Sequence, residues 1–365
     1  MEHPYRSQPA KAFWKRTVPA YHPLEVPDWY TRRFSIDGAR IATAGSCFAQ
    51  HIGRNLREKG FAYLDAEPAP AQVSPALASE YGYGMYSARY GNIYTARQLL
   101  QLLQRANGTF RPTEDYWIKG DGVVDPFRPT IEPEPFGSVE ELRAVRAGHL
   151  DCVSGLLRDA DVFVFTLGLT EAWLSKTDGA CYPLCPGTVA GVFDETVHAF
   201  RNLDYTEVRA DMEAFIAGVR DINPKLRFLL TVSPVPLAAT ATDTQVAVAT
   251  AYSKSVLRAV AGDLVAAHEF IDYFPSFEII TSPFMRGYFF QPDGREILPR
   301  GVEHVMSVFF EQHPVPGGKA SVATGSAASD ADQASFERDM TADEVREKIK
   351  CDEELLSAFA PERNA

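Results

Sequence analysis

The feature that most constrains this chain is a set of short apolar runs, each separated from the next by stretches with helical spacing. The runs are Arg40 to Ala44, Asp161 to Leu167, Arg227 to Val232 and Glu269 to Tyr273. Brief, nearly continuous apolar segments suit strands buried on both faces of a parallel sheet. Between them, Val139 to Leu157 sets Leu142, Val145, Leu150, Val153 and Leu156 on one helical face, and Tyr205 to Val219 and Thr244 to Leu264 behave similarly. Parallel strands need crossovers, and helices of this length supply them. The order therefore predicts an α/β fold, a right-handed three-layer sandwich around a mostly parallel sheet.

Breaks in this rhythm divide the chain. Residues 1–35, rich in Pro and aromatic residues, read as an irregular arm, and 36–313 as the α/β domain. Within the domain, 65–94 and 106–137 carry many prolines and read as long loops around the mouth of the sheet, where binding residues concentrate. Small polar residues at 314–336 predict a flexible linker, and 337–365 a short tail. In that tail a helix is expected over about Thr341 to Phe359, with Thr341 and Glu344 as a capping box. Val345, Ile349, Leu355 and Leu356 would form its docking face.

Charge and cysteine content exclude several function classes. Lys plus Arg number 36 against 48 Asp plus Glu, a net charge of −12, so the field of the chain repels nucleic acid and anionic lipid. No apolar run approaches the ~18 residues of a membrane span, and no secretory leader opens the sequence, so a cytoplasmic protein is expected. Five cysteines, at 47, 152, 181, 185 and 351, form no even disulfide framework. Cys181 and Cys185 lack a second ligand pair, so no metal is expected. Gly45 belongs to no nucleotide-binding glycine pattern, and no cofactor is expected.

The sharpest local signal is Ala44-Gly45-Ser46-Cys47-Phe48-Ala49 at the first strand-to-helix junction. A residue there sits at the carboxyl end of a strand and at the positive end of a helix, where backbone N–H groups bind an oxyanion. Such a helix terminus lowers a thiol pKa, which makes Cys47 a candidate nucleophile; Ser46 needs a separate base. The plainer reading is Ser46 as a helix cap and Cys47 as a small buried filler.

These residues resemble the GSCFA-domain family, grouped with the SGNH or GDSL-type hydrolases. The resemblance runs from about Phe34 to Phe310 and includes Tyr90-Gly91-Asn92-Ile93-Tyr94, Leu167-Gly168-Leu169-Thr170-Glu171, Ser233-Pro234-Val235-Pro236-Leu237, Tyr252-Ser253-Lys254-Ser255 and Phe274-Pro275-Ser276-Phe277-Glu278. It implies a flavodoxin-like sheet and ester chemistry on acylated molecules. Laid over the superfamily's Gly-Asp-Ser, Gly45-Ser46-Cys47 puts Cys47 in the nucleophile's place, with Ser46 as second choice. Gly91 and Asn92 resemble the second oxyanion loop. Gly168-Leu169-Thr170-Glu171 stands where Gly-x-Asn-Asp is found, with Thr170 replacing Asn and Glu171 replacing Asp.

The superfamily's Asp-x-x-His is represented by Asp293-Gly294-Arg295-Glu296, in which Glu296 replaces the His. The candidate bases are then His304, His198, His51 and Glu296 itself. Arg286 and Lys254 are candidates for a substrate anion, although solvated or ion-paired roles are the ordinary ones for such residues. The resemblance implies an esterase or acyltransferase working through an acyl-enzyme on Cys47 or Ser46, with a small-molecule or glycan acyl substrate and acyl-CoA as a candidate donor. The alternative is a binding or scaffold protein on a degenerate hydrolase fold.

Overall fold

The structure is a computed structural model that describes residues 3–317 and 351–360. Strands β1 (Ile41–Gly45), β4 (Val162–Leu167), β8 (Arg227–Val232) and β9 (Ile271–Tyr273) form a four-stranded parallel sheet in the order β1-β4-β8-β9. These are the four runs expected from sequence, with β1 reaching Gly45 and β9 starting only at Ile271. Residues 62–64 run beside the free edge of β1: Ile41 donates to Ala62 O and Leu64 donates back to Ile41 O. Counting that segment, the spatial order is 2-1-3-4-5, the doubly wound order of flavodoxin-like sheets.

Side chains alternate across the strands and divide the core in two. Phe163, Phe165, Phe228 and Leu230 face α4 (Ala96–Ala106), α5 (Val139–Asp159), α6 (Tyr205–Ile222) and α7 (Val246–Ala267), burying Leu99, Val153, Phe215 and Leu257. Val162, Val164 and Leu229 face α2 (Phe48–Glu58), α8 (Ser276–Thr281) and α9 (Pro299–Gln312), burying Ile52, Ile279 and Val305. The result is the three-layer α/β sandwich expected. Among the helices, α4 begins at a complete capping box in which Thr95 and Gln98 satisfy each other's backbone N–H groups.

Elements that the sequence reading did not separate surround the mouth of the sheet. They are the short α3 (Pro75–Glu80), the hairpin of β2 (Trp117–Lys119) and β3 (Gly122–Val124), and an antiparallel sheet of β6 (Cys181–Tyr182), β5 (Glu171–Ser175) and β7 (His198–Asn202). The N-terminal arm, which includes the single-turn α1 (Trp14–Thr17), is tied down at Asp272, which accepts from Tyr30 Oη at 2.8 Å and from the Arg33 N–H at 2.7 Å.

The expected linker and most of the expected tail helix lie outside the described residues. What is described of the tail, Asp352–Phe359, is a run of 3-10 turns, and it docks the other way round from expectation. Leu355 and Phe359 are exposed, whereas Asp352 and Glu353 are buried. Charged and hydrogen-bonded side chains of the domain receive those carboxylates.

Candidate active site

In an open parallel sheet the ligand crevice lies at the carboxyl ends of the strands where the winding reverses. Here that point falls between β1 and β4, and the two loops that leave it are Gly45-Ser46-Cys47 and Gly168-Leu169-Thr170. Close approach of the loops requires both glycines. A Cβ on Gly45, whose φ is +143°, would lie 2.5 Å from Thr166 O, and one on Gly168 would lie 2.9 Å from Ser46 Cβ. The next residues start α2, with Cys47 as its N-cap, so the positive end of the helix lies at this point, although in its first turn the Ala49 and Gln50 N–H groups already donate to Ser46 O at 2.8 Å and Cys47 O at 3.1 Å.

Cys47 and Ser46 then diverge. Cys47 lines a cavity of about 210 Å3 together with His51, Val235, Arg295, Glu296 and Cys351. Glu296 is exposed, so the cavity has a solvent-facing rim. Ser46 does not line it, and its buried Oγ has no hydrogen-bond partner. Of the two candidate nucleophiles, the thiol is the one presented to open space.

The tail completes the site. Asn92 Nδ2, a candidate oxyanion donor, donates to Asp352 Oδ2 at 2.8 Å, and Thr130 Oγ1 donates to Asp352 Oδ1 at 2.7 Å. The Asp352 N–H donates to Tyr94 Oη at 3.1 Å. Asn92 Oδ1 accepts from Gln50 Nε2 at 3.2 Å and lies 2.5 Å from the Tyr86 hydroxyl, which also sits 3.1 Å from Ser46 O. The amide is thus linked through Tyr86 to the backbone of the Gly45-Ser46-Cys47 loop. Beside it, Arg295 Nη2 donates to Cys351 Sγ at 3.3 Å and lies 3.5 Å from Glu353.

Electrostatics reverse the expectation for Cys47. Its interaction with Cys351, with burial added, pushes the Cys47 thiol well above its ordinary value. Cys351 moves the other way. The proton offered by Cys47, helped by the Arg295 guanidinium, holds its thiol below the ordinary value despite burial. Of the two thiols, Cys351 is the one shifted toward ionisation. Iodoacetamide is expected to modify Cys351 before Cys47, as read by peptide mapping over time at pH 7; alkylation of Cys47 first would contradict this assignment.

Lys254 and Arg295 are the cations of the site. Lys254 lies on the buried face of α7, and its Nζ donates to Gly168 O at 2.7 Å. Burial lowers its pKa to about 8, opposed by Glu353 and Cys47. The sequence reading left Lys254 as a solvated residue or an anion receptor. Leu257 and Ala261, three and seven residues on, were the signal that places it on an apolar face. Burial pushes the Glu353 carboxyl up, against the pull of Arg295 and Lys254.

The other sequence-selected residues are dispersed. His198 lies on β7, 3.0 Å from Glu114 and packed on Tyr182, and does not line the Cys47 cavity. His304 stacks on Phe289 with its Nε2 buried and unpartnered, also away from that cavity. Neither is placed as a base. His51 does line the cavity, and burial with Arg54 lowers its pKa to about 4, so its imidazole is neutral at pH 7. Asp293 is exposed and orders its own turn by accepting from the Arg295 and Glu296 N–H groups at 3.0 and 3.2 Å.

The expected second set of oxyanion donors is already engaged. Gly168 N–H donates to Tyr94 O at 3.1 Å, Thr170 N–H to Ser253 Oγ at 3.0 Å and the Thr170 hydroxyl to Asn202 at 2.6 Å. Gly91, with φ +68°, turns the chain just before Asn92. Glu171 accepts from Thr240 and the Ala241 N–H and lines a second cleft of about 610 Å3 with Trp173, Phe193 and the tail residues Leu356 and Phe359. The same tail segment therefore borders both cavities.

Comparison with known proteins adds one match: the model of the GSCFA family fits residues 40–309. No curated protein matches the chain. Among the described residues no helix is long and apolar enough to cross a membrane.

Proposed function

The chain belongs to the GSCFA family, and on that premise we propose that it is an SGNH-like esterase or acyltransferase with Cys47 as nucleophile. The observation that carries the reading is the thiol at the carboxyl end of β1 and the N-terminus of α2, opening on the 210 Å3 cavity. Attack of the Cys47 sulfur on an ester carbonyl forms a tetrahedral oxyanion, which the Cys47 and Phe48 N–H groups at the positive end of α2 stabilise. Collapse expels the alcohol and leaves a thioester. Water then gives hydrolysis, and an acceptor hydroxyl gives acyl transfer.

Lys254 is assigned as the proton acceptor. It does not line the Cys47 cavity either, but it is buried and donates to Gly168 O on the loop packed against Ser46. Its pKa is lowered to about 8 and it interacts electrostatically with Cys47, whereas the His51 imidazole, with a pKa near 4, is a weak base. The acyl chain enters the Cys47 cavity, whose size suits a short acyl group. The larger, aromatic-lined cleft is the place for the remainder of the substrate, a glycan or an acyl-CoA donor. Cys351 must leave Cys47 during the cycle, because its contact is the main cause that keeps the thiol protonated.

The test is turnover of short acyl esters and acyl-CoA across pH. The rate is expected to rise with pH through about 8, as Lys254 loses its proton, and Lys254→Met is expected to remove that rise. An unchanged profile in Lys254→Met would remove Lys254 from the role. A second reading, a non-catalytic binding protein, is favoured by one observation: neither His198 nor His304 lines the cavity that contains Cys47. It predicts no turnover with any of these substrates.

A further inference from the structure

Acid–base or nucleophilic roles do not require a second cysteine in the site, yet Cys351 lines the same cavity as Cys47. Its placement is over-determined. The adjoining Asp352 is held by Asn92, Thr130 and Tyr94, Glu353 by Arg295, and Arg295 also donates to the Cys351 sulfur itself. The other cysteines have different surroundings. Cys181 Sγ is packed 3.7 Å from Thr95 Oγ1, Cys185 lines the larger cleft, and Cys152 lies on α5. Cys47 and Cys351 line one cavity, which has a solvent-facing rim at Glu296.

We infer that Cys47 and Cys351 are a peroxide-responsive pair whose oxidation to a disulfide fastens the C-terminal segment over the site. The oxidant is hydrogen peroxide. The Cys351 thiolate, beside the Arg295 guanidinium, attacks one peroxide oxygen, so the O–O bond breaks, Cys351 becomes a sulfenic acid, and hydroxide leaves to be protonated to water. The Cys47 sulfur then attacks the sulfenic sulfur. The S–S bond forms, the S–O bond breaks, and the Cys47 proton leaves with the hydroxyl as a second water. Two thiols have lost two electrons to one peroxide. A thiol reductant reverses the step by exchange at the disulfide.

The inference does not depend on ester chemistry, because the disulfide is read directly. The full reduced chain is treated with hydrogen peroxide, quenched with N-ethylmaleimide and digested without reductant for mass spectrometry. The expected product is the peptide containing Cys47 joined to the peptide containing Cys351, released by dithiothreitol, while Cys152, Cys181 and Cys185 are recovered mainly as maleimide adducts. In Cys351→Ser, Cys47 is expected to be recovered as the maleimide adduct under the same treatment. The inference is overturned if Cys351 accumulates as sulfinic acid while Cys47 stays a free thiol, or if either cysteine links mainly to a third. A joined peptide together with no ester turnover would leave the disulfide standing and remove only the enzyme reading.

Discussion

Cys47→Ala is expected to lower kcat/KM for short acyl esters by roughly a thousandfold, about 4 kcal/mol of transition-state stabilisation, without unfolding the chain. The loss is large because a methyl group cannot form the thioester, and no neighbouring hydroxyl replaces it. Ser46 is one residue away, but its Oγ is buried and lies outside the cavity lining. Ser46→Ala is expected to leave most of the rate. The reverse result, loss with Ser46→Ala and retention with Cys47→Ala, would transfer the nucleophile to the hydroxyl. Packing predicts a modest effect of Cys47→Ala on folding, since the cysteine removes little volume and faces the cavity on one side.

Asp125→Ala is expected to destabilise the fold by about 3–5 kcal/mol, the cost of leaving buried charge uncompensated. Asp125 is 1% exposed and lies 3.1 Å from both Arg128 Nε and Arg146 Nε, while its Oδ1 accepts from the Phe127 N–H. Burial opposes ionisation here, but Arg146, Arg128 and Arg105 outweigh it and hold the carboxyl below the usual carboxylate range. A depressed folded pKa sets the sign. The stability Asp125 contributes is present above the unfolded value near 3.9 and is lost as pH falls below it through the folded value. Chemical denaturation of Asp125→Ala at pH 7 reads the loss. A midpoint equal to that of the parent chain would show that the arginines find other partners.

The same cluster bears on the site. Arg128 Nη1 donates to Arg89 O at 3.0 Å, and Arg89 in turn holds Tyr81 O and Glu132. These bonds tie the two proline-rich loops together, one carrying Asn92 and the other Thr130. Both side chains reach Asp352. A surface reading of 65–94 and 106–137 as loops was correct in outline, but their order comes from buried arginine–carboxylate bonds with no periodic trace in the sequence.

That contrast explains what was legible. Strands β1, β4 and β8 were readable because burial on both faces leaves uninterrupted apolar runs, and α5, α6 and α7 because one buried face repeats every three or four residues. The β5-β6-β7 sheet was not. Cys181–Tyr182 is only two residues long, and β5 mixes buried and partly exposed positions without strict alternation. The Gly45-Ser46-Cys47 loop was singled out from its place after β1, whereas the base was sought among His304, His198, His51 and Glu296. His198 and His304 turn out to pack on Tyr182 and Phe289. The tail was misjudged for a related reason. Apolar periodicity pointed to Val345, Ile349, Leu355 and Leu356 as the docking face; of the two within the described residues, Leu355 is exposed and Leu356 is half-buried at the larger cleft, while Asp352 and Glu353 are buried against partners on other segments of the chain.

The central claim is that Cys47 accepts an acyl group. Its most direct test is to mix the reduced chain with a short activated acyl ester, quench in acid within the first turnovers, and map the adduct by mass spectrometry. The account predicts one acyl group on the peptide containing Cys47, removed by neutral hydroxylamine as a thioester should be. An adduct on Ser46, or an acylated chain in which Cys47 is recovered as the free thiol, would contradict it.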